Sequence, residues 1–304
     1  MKKLFLSAFV LAAMVTTPVF AGPGSGLRYT ITVSKFENKS QFPAGQFNLS
    51  STFGAVLTDS LEQTGRFIVL GEKEMRVEAI GEQDFGASGR VAGGKKTPEK
   101  GQMTPAQLLV KGEITHFQQS TTGGKGGIHI GGFNLGGEKE EAEINAVIYV
   151  VDSTTGQVVA SKKVVGEASS SGTSVGFADK EWGGADLSGF KKTNTGKAVE
   201  KAIDQAVQFI IAQLEKVPWE GTVIIVKNDK FYINRGARDG VATGQRFVVG
   251  NMERVRDPDT GEVLDESVNK VGAIVIEEMK EKVSIGKATE GGEKIQKGMT
   301  VMLP

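Results

Sequence analysis

Apolar and polar positions alternate along Tyr29, Ile31 and Val33, which predicts a strand within Leu27 to Phe36. After an aperiodic stretch, Ser50 or Ser51 can cap a helix on which Phe53, Val56, Leu57 and Leu61 recur at three- and four-residue spacing. Gly65 supplies its left-handed stop. Arg66 to Leu70 reads as a short buried strand, and Glu72 to Ile80 as a second short helix with Met75 and Ile80 on one side. Gly81 to Met103 is glycine-rich and polar, a loop pattern. Thr104-Pro105 has the form of a cap followed by proline at a first helical position. Leu108 to Ile114 and Ile144 to Val151 are strand patterns, and Ser153 to Gly156 is a hairpin turn leading into Gln157 to Val165. Two segments of low hydrophobicity interrupt this series, Gln118 to Glu143 and Gly166 to Asn194. A long amphipathic helix follows, with Val199, Ile203, Val207, Ile210 and Leu214 on one stripe.

Beyond Val217-Pro218-Trp219 the helical period disappears. Short apolar runs follow one another instead, TVIIV, KFYIN, RFVVG, KVGAIVI and KVSIGKA, separated by turn clusters such as Asp257-Pro-Asp-Thr-Gly261. The pattern predicts an α/β (α+β) domain over 22–217, a sheet covered by helices and interrupted by the two insertions. A small all-β domain of SH3-like barrel or sandwich type is predicted over 218–304.

Composition narrows the function. Residues 1–21 look like a secretory signal, with Lys2 and Lys3 before an apolar run and Val19-Phe20-Ala21 as cleavage site, so the protein is expected to be exported. The chain has no Cys, which excludes disulfide scaffolds, thiol nucleophiles and an acylated lipoprotein cysteine. Two His leave little for a catalytic metal site. Basic and acidic residues balance at 36 each, so no basic field exists to displace counterions from nucleic acid. The 41 glycines are nearly twice the roughly 7% of average proteins.

In order along the chain, ITVSKFENKS, LTDSLEQTGRFIVLGEKEM, LLVKGEITHFQQS, VIYVVDSTTGQVVASKKVVGE and TGKAVEKAIDQAVQFIIAQL resemble the curli secretion channel family of CsgG/HfaB type. The resemblance covers about residues 27–217. It implies a periplasmic α/β domain whose subunits form a homo-oligomeric ring and pass an exported polypeptide, together with periplasmic accessory proteins. It also implies two hairpins per subunit that build a shared outer-membrane barrel. The two polar insertions fall where those hairpins belong. The family's pore-lining loop carries an aromatic, an amide and a second aromatic, and Phe42-Pro43-Ala44-Gly45-Gln46-Phe47 stands at its place. By that match Phe42, Gln46 and Phe47 line the constriction; the alternative is an ordinary loop with both Phe packed on the core. Phe133, Phe177, Trp182 and Phe190 are the candidate aromatics of the membrane hairpins.

The chain departs from the family twice: it has no Cys to acylate, and its insertions hold few apolar residues amid Gly, Ser and charges. Spanning strands need about 9–11 residues with an outward apolar band. The C-terminal blocks WEGTVI, YINRGARDGVATGQRFVV, DPDTGEVL and KVGAIVI resemble the β-domain appended to such proteins and that of the flagellar ring protein FlgT. A soluble periplasmic ring or scaffold is therefore the second reading.

No catalytic, cofactor-binding or metal-binding residues are expected. Gly89 to Lys96 falls one residue short of a phosphate-binding loop, and it follows no buried strand. Asp257 to Glu262 lacks the full spacing of a calcium loop and reads as a β-turn. No Ser-His-Asp set or close carboxylate pair stands out, so an enzyme is not expected.

Overall fold

The computed structural model describes residues 26–40, 48–94, 97–123, 128–130, 133–135, 137–173 and 190–304. Residues 1–21, expected to be a secretory signal, lie outside these residues, as do Phe42 to Phe47, Phe177, Trp182 and the lysine end of the Gly89 to Lys96 motif. The fold is mixed α+β, a six-stranded sheet followed by a closed six-stranded barrel.

Strand β1 (Tyr29–Val33) lies inside the sheet with β3 (Phe67–Leu70) and β4 (Leu108–Gly123) parallel on either side of it. The two-residue β2 (Glu37–Asn38) pairs with β4. From β4 the sheet continues antiparallel through β7 (Gly137–Asp152) to β8 (Val158–Thr173). Helix α1 (Leu49–Gln63) returns the chain from β2 to β3, burying Phe53, Val56, Leu57 and Leu61. Helix α3 (Asn194–Gln213) lies over β7 and β8 and also touches α1, so both helices cover one face. Under α3 every second residue is buried, Ala142, Ile144, Ala146, Ile148 and Val150 on β7 and Val164 and Ala168 on β8, with Asn145 and Val151 of β7 buried as well. Two glycines allow this closeness. A Cβ on Gly166 would lie 1.8 Å from the Ala198 carbonyl oxygen of α3, and one on Gly112 would lie 2.1 Å from the Phe36 ring. Phe36 in turn packs on Phe53 with ring centroids 4.8 Å apart.

Three expectations change. Helix α2 runs over Lys73–Gly86, past Ile80, and buries no residue, so Met75 and Ile80 do not form a core-facing side. Thr104-Pro105 opens no helix; Gln107 docks on β1 and leads straight into β4, its backbone N–H donating to the Thr30 carbonyl at 3.0 Å while its Oε1 accepts from Thr30 N at 3.0 Å. The strands beside the insertions run to 16 residues each, far longer than their apolar cores. Ladder hydrogen bonds join backbone to backbone and continue where apolar side chains end.

The barrel takes the strand order β10-β13-β12-β11-β14-β9. Its members are β9 (Glu220–Lys227), β10 (Lys230–Ile233), β11 (Arg246–Arg256), β12 (Val263–Met279), β13 (Ser284–Glu290) and β14 (Thr300–Met302). The first five contain or overlap the apolar runs named above; the three-residue β14 closes the ring against β9 and β11. Val223, Phe231, Phe247, Val249, Ile274 and Val301 fill the interior. Trp219 stacks on Phe247 at 5.1 Å. Sheet and barrel meet where Arg28 N–H donates to the Asp239 carbonyl at 2.9 Å. Gly240, at φ +79°, comes so close that a Cβ would overlap the Gly26 carbonyl oxygen.

Candidate functional site

The loop expected from the sequence to line a constriction falls on residues 41–47, which lie outside the described residues, and the described chain on either side of them is held by the fold. On one side β2 is held on β4, with Lys39 N–H donating to the Ile114 carbonyl at 2.9 Å. Asn38 Oδ1 accepts from Ser40 N at 3.0 Å and from Ser40 Oγ at 2.6 Å, turning the chain off the strand. Lys39 and Glu37 form an ion pair at 2.6 Å on the surface, which lowers the Glu37 pKa chiefly through the hydrogen bond from Lys39. On the other side Asn48, rather than Ser50 or Ser51, caps α1. Its Oδ1 accepts from Ser51 N at 3.1 Å, satisfying an N–H that the helix leaves without a partner. Phe42, Gln46 and Phe47 fall between β2 and α1, outside the described residues. A cleft of about 570 Å³ opens between the ends of β1 and β3 and the starts of α1 and α2. Lys35, Ser51, Thr58, Asp59, Leu70 and Met75 are among its lining.

The second part of the site is the ribbon of β4, β7 and β8, which grows past the helix-covered sheet into both insertions. Register carries it outward by rungs: Gln119, Ala142 and Ala168, then Ser120, Glu141 and Ser169, then Thr121, Glu140 and Ser170, ending near Gly123, Glu138 and Gly172. The last buried rung is that of Ala142 and Ala168, at 3% and 9% exposure; Glu140 and Ser170 are exposed. Beyond it, β5 (Ile128–Ile130) and β6 (Phe133–Leu135) pair antiparallel in the first insertion, placing the backbone of Phe133 on a hairpin arm.

Asn194 marks where the ribbon leaves α3. It is buried, and its Nδ2 donates to Ser170 Oγ at 2.8 Å and to Glu140 Oε2 at 3.2 Å, tying the exit rung to the helix start. Thr193 Oγ1 caps the same helix by accepting from Gly196 N at 2.9 Å. Phe190 sits just before, 7% exposed in the core, its carbonyl accepting from Thr193 Oγ1 at 2.8 Å. That is an interior position, not an outward one, because the turn into α3 folds it under the helix. Helical period alone does not mark Asn194; its sequence signal is the run Thr193-Asn194-Thr195-Gly196 before an amphipathic stripe. A polar cavity of about 540 Å³ lies at the base of the ribbon, with Gln118, Ser120, Glu143, Glu167 and Lys201 around it.

Among the described residues no group of three His, Asp or Glu could hold a metal ion, and no helix is long and apolar enough to cross a membrane, which says nothing of strands. Asp257 to Glu262 is the turn between β11 and β12: Asp257 Oδ1 accepts from Asp259 N at 2.7 Å and Thr260 N at 3.0 Å, and Gly261 has φ +75°. The turn between β7 and β8 is built in the same way. Asp152 Oδ1 accepts from Thr154 N at 2.7 Å and Thr155 N at 2.8 Å, with Gly156 at φ +74°. The two turns touch, Gln157 Nε2 donating to Glu262 Oε1 at 3.3 Å.

A family model described as "Curli production assembly/transport component CsgG" matches residues 20–244. A presumptive lipoprotein of Neisseria meningitidis serogroup B is 28% identical over 201 residues, which span 64% of this chain and 80% of its own length. Among solved structures, the dodecameric PelC of Paraburkholderia phytofirmans is similar at 10% identity over 59% of this chain and 86% of its own, with a TM-score of 0.30. A hypothetical protein of Chlamydia trachomatis is similar at 14% identity over 60% and 95%, with a TM-score of 0.36.

Proposed function

The chain belongs to the CsgG family of curli production assembly and transport components, and on that premise we propose that it is an exported, ring-forming secretion component at the outer membrane. It passes or assembles unfolded polypeptide of the curli fibre-subunit class. The observation that carries the reading is the β4–β7–β8 ribbon, which leaves the helix-covered sheet at both insertions with its ladder intact. Closing such ribbons around a ring satisfies every strand edge, the condition for β-structure in hydrocarbon. Phe42 and Phe47 form an apolar collar at the constriction and Gln46 supplies amides that bond a passing backbone briefly. Phe133, Phe177 and Trp182 face the membrane boundary. No cofactor takes part and no bond is made or broken, so the chain acts by assembly and selection. With no Cys in the sequence, attachment to the membrane rests on the barrel rather than on an acyl chain.

The test is conductance of the purified full chain in planar bilayers. Phe47→Ala widens the collar and is expected to raise single-channel conductance about two-fold. A water-soluble particle with neither conductance nor a heat-modifiable barrel overturns the pore. That outcome belongs to the second reading, a soluble periplasmic ring or scaffold, which is favoured by the polar rungs from Gln118 to Thr121, Glu138 to Glu141 and Ser169 to Ser171.

A further inference from the structure

Helix α2 is the one helix longer than a single turn, among the described residues, that buries nothing. Met75, Val77, Ile80 and Phe85 are 59%, 57%, 47% and 47% exposed. Its polar ties to the following segment are Arg76 Nη2 donating to the Thr104 carbonyl at 3.1 Å and an exposed ion pair of Asp84 with Lys100 at 2.7 Å, neither of which covers its apolar side chains. At 14 residues, with Gly81 inside it, it has about the length at which isolated helices are marginal in water, so a packing partner must stabilise it. Its side chains state what that partner resembles. Met75, Glu78, Glu82 and Phe85 recur at three- and four-residue spacing, so they share one stripe, apolar at both ends and acidic between, while Val77 and Ile80 lie toward the opposite side of the helix.

The complement stands at the other edge of the same sheet. The upper part of β8 is covered by α3: Gln205 accepts from Val165 N at 3.3 Å and donates to the Val165 carbonyl at 2.6 Å, and Lys201 Nζ donates to the Glu167 carbonyl at 2.8 Å. Lower down, Val158 and Val159 are 57% and 48% exposed and Lys163 is exposed beside them, while the exposed Lys162 also reaches over the Phe209 ring of α3, its Nζ 6.0 Å from the centroid. Apolar and basic side chains here match apolar and acidic ones on α2. We propose that α2 of one subunit docks on the Val158 to Lys163 segment of β8 in the next copy of this chain. Two different patches on the opposite edges β3 and β8 cannot meet within one subunit. Between copies they form a head-to-tail contact, the kind that closes a ring. The inference rests on the ring reading above and names the surface that makes the ring.

The chain contains no cysteine, so introduced thiols report one contact each. Full chains carrying Met75→Cys and full chains carrying Val159→Cys, co-expressed and treated with a short bismaleimide, are expected to give a cross-linked dimer. Either variant alone, or Met75→Cys with Ile225→Cys on the barrel, is expected to give none. Lys162→Glu with Lys163→Glu is expected to lower the sedimenting mass from ring to monomer, and adding Glu78→Lys with Glu82→Lys to restore it. A ring by sedimentation with no cross-link from the mixed pair overturns this interface and leaves the ring reading standing. A monomeric unsubstituted chain overturns both, and cross-linking only to a different protein overturns the interface.

Discussion

Barrel and sheet each have six strands, yet only the barrel closes. Its β14 joins β9 to β11, its interior is filled by Phe231, Phe247, Val249 and Ile274, and its strand edges are used up within one chain. The sheet ends in β3 on one side and β8 on the other, buries one face under α1 and α3, and sends a ribbon beyond its core. A closed β-structure is complete as a monomer, whereas an open one leaves edges and faces that call for cover. The two helices beyond β3 repeat the contrast. Helix α3 buries ten residues and has a capped start, whereas α2 buries none. The half that is complete alone and the half that asks for neighbours differ by closure, not by composition.

The largest way to break this contrast is Gly166→Ala. The new Cβ would meet only backbone of α3, which has no side chain to swing aside, so α3 must lift off β8. Overpacking of this kind costs about 3 kcal/mol. The thermal transition of the sheet is expected to fall while the near-ultraviolet circular dichroism of the Trp219–Phe247 stack persists; equal loss of both would show that the barrel is not complete by itself.

A smaller effect is expected from Gln205→Ala. Its amide mimics a neighbouring strand by bonding both the N–H and the carbonyl of Val165, and removing it costs about 1 kcal/mol. The uncovered edge should raise concentration-dependent light scattering, and an unchanged signal would mean that α3 shields β8 without it.

The smallest effect is electrostatic and belongs to the barrel. The Asp259 and Thr260 backbone N–H groups hold the Asp257 carboxyl below the ordinary aspartate range. A carboxylate with a depressed folded value lends its stability above the unfolded value, and that contribution is lost as pH falls through the folded one. The contribution of the β11–β12 turn should therefore start to fall as pH drops through the ordinary aspartate range and be gone below the depressed folded value, and Asp257→Asn should remove the Asp257 midpoint from an NMR titration of the side-chain carboxyl carbons. A midpoint in the ordinary range would contradict the turn geometry.

Local signals carried far in this sequence. The stripe from Val199 to Leu214, the alternation of β1 and β7 and the Asp-Xaa-Xaa-Thr-Gly turns are written in neighbouring residues, because helix and strand periods and turn hydrogen bonds are decided within a few positions. The five blocks that named the family are likewise local. Ser50 and Ser51 look as suitable for the cap of α1 as Asn48, two and three residues earlier, and only the backbone chooses among them. Phe190 read as an outward aromatic since its neighbours are polar, yet the turn into α3 carries it inside.

What the sequence determined alone was the order of elements, the two polar insertions and the absence of cysteine chemistry. What the tertiary structure decided was everything that depends on pairing across the chain. Backbone ladders extended β4, β7 and β8 through residues whose side chains give no reason for it. Three residues of β14 closed the barrel, and the absence of any packing surface left α2 exposed. Side-chain patterns record which face is buried, whereas edges and closure belong to the backbone, whose hydrogen bonds are the same for nearly every residue and are therefore almost silent in the sequence.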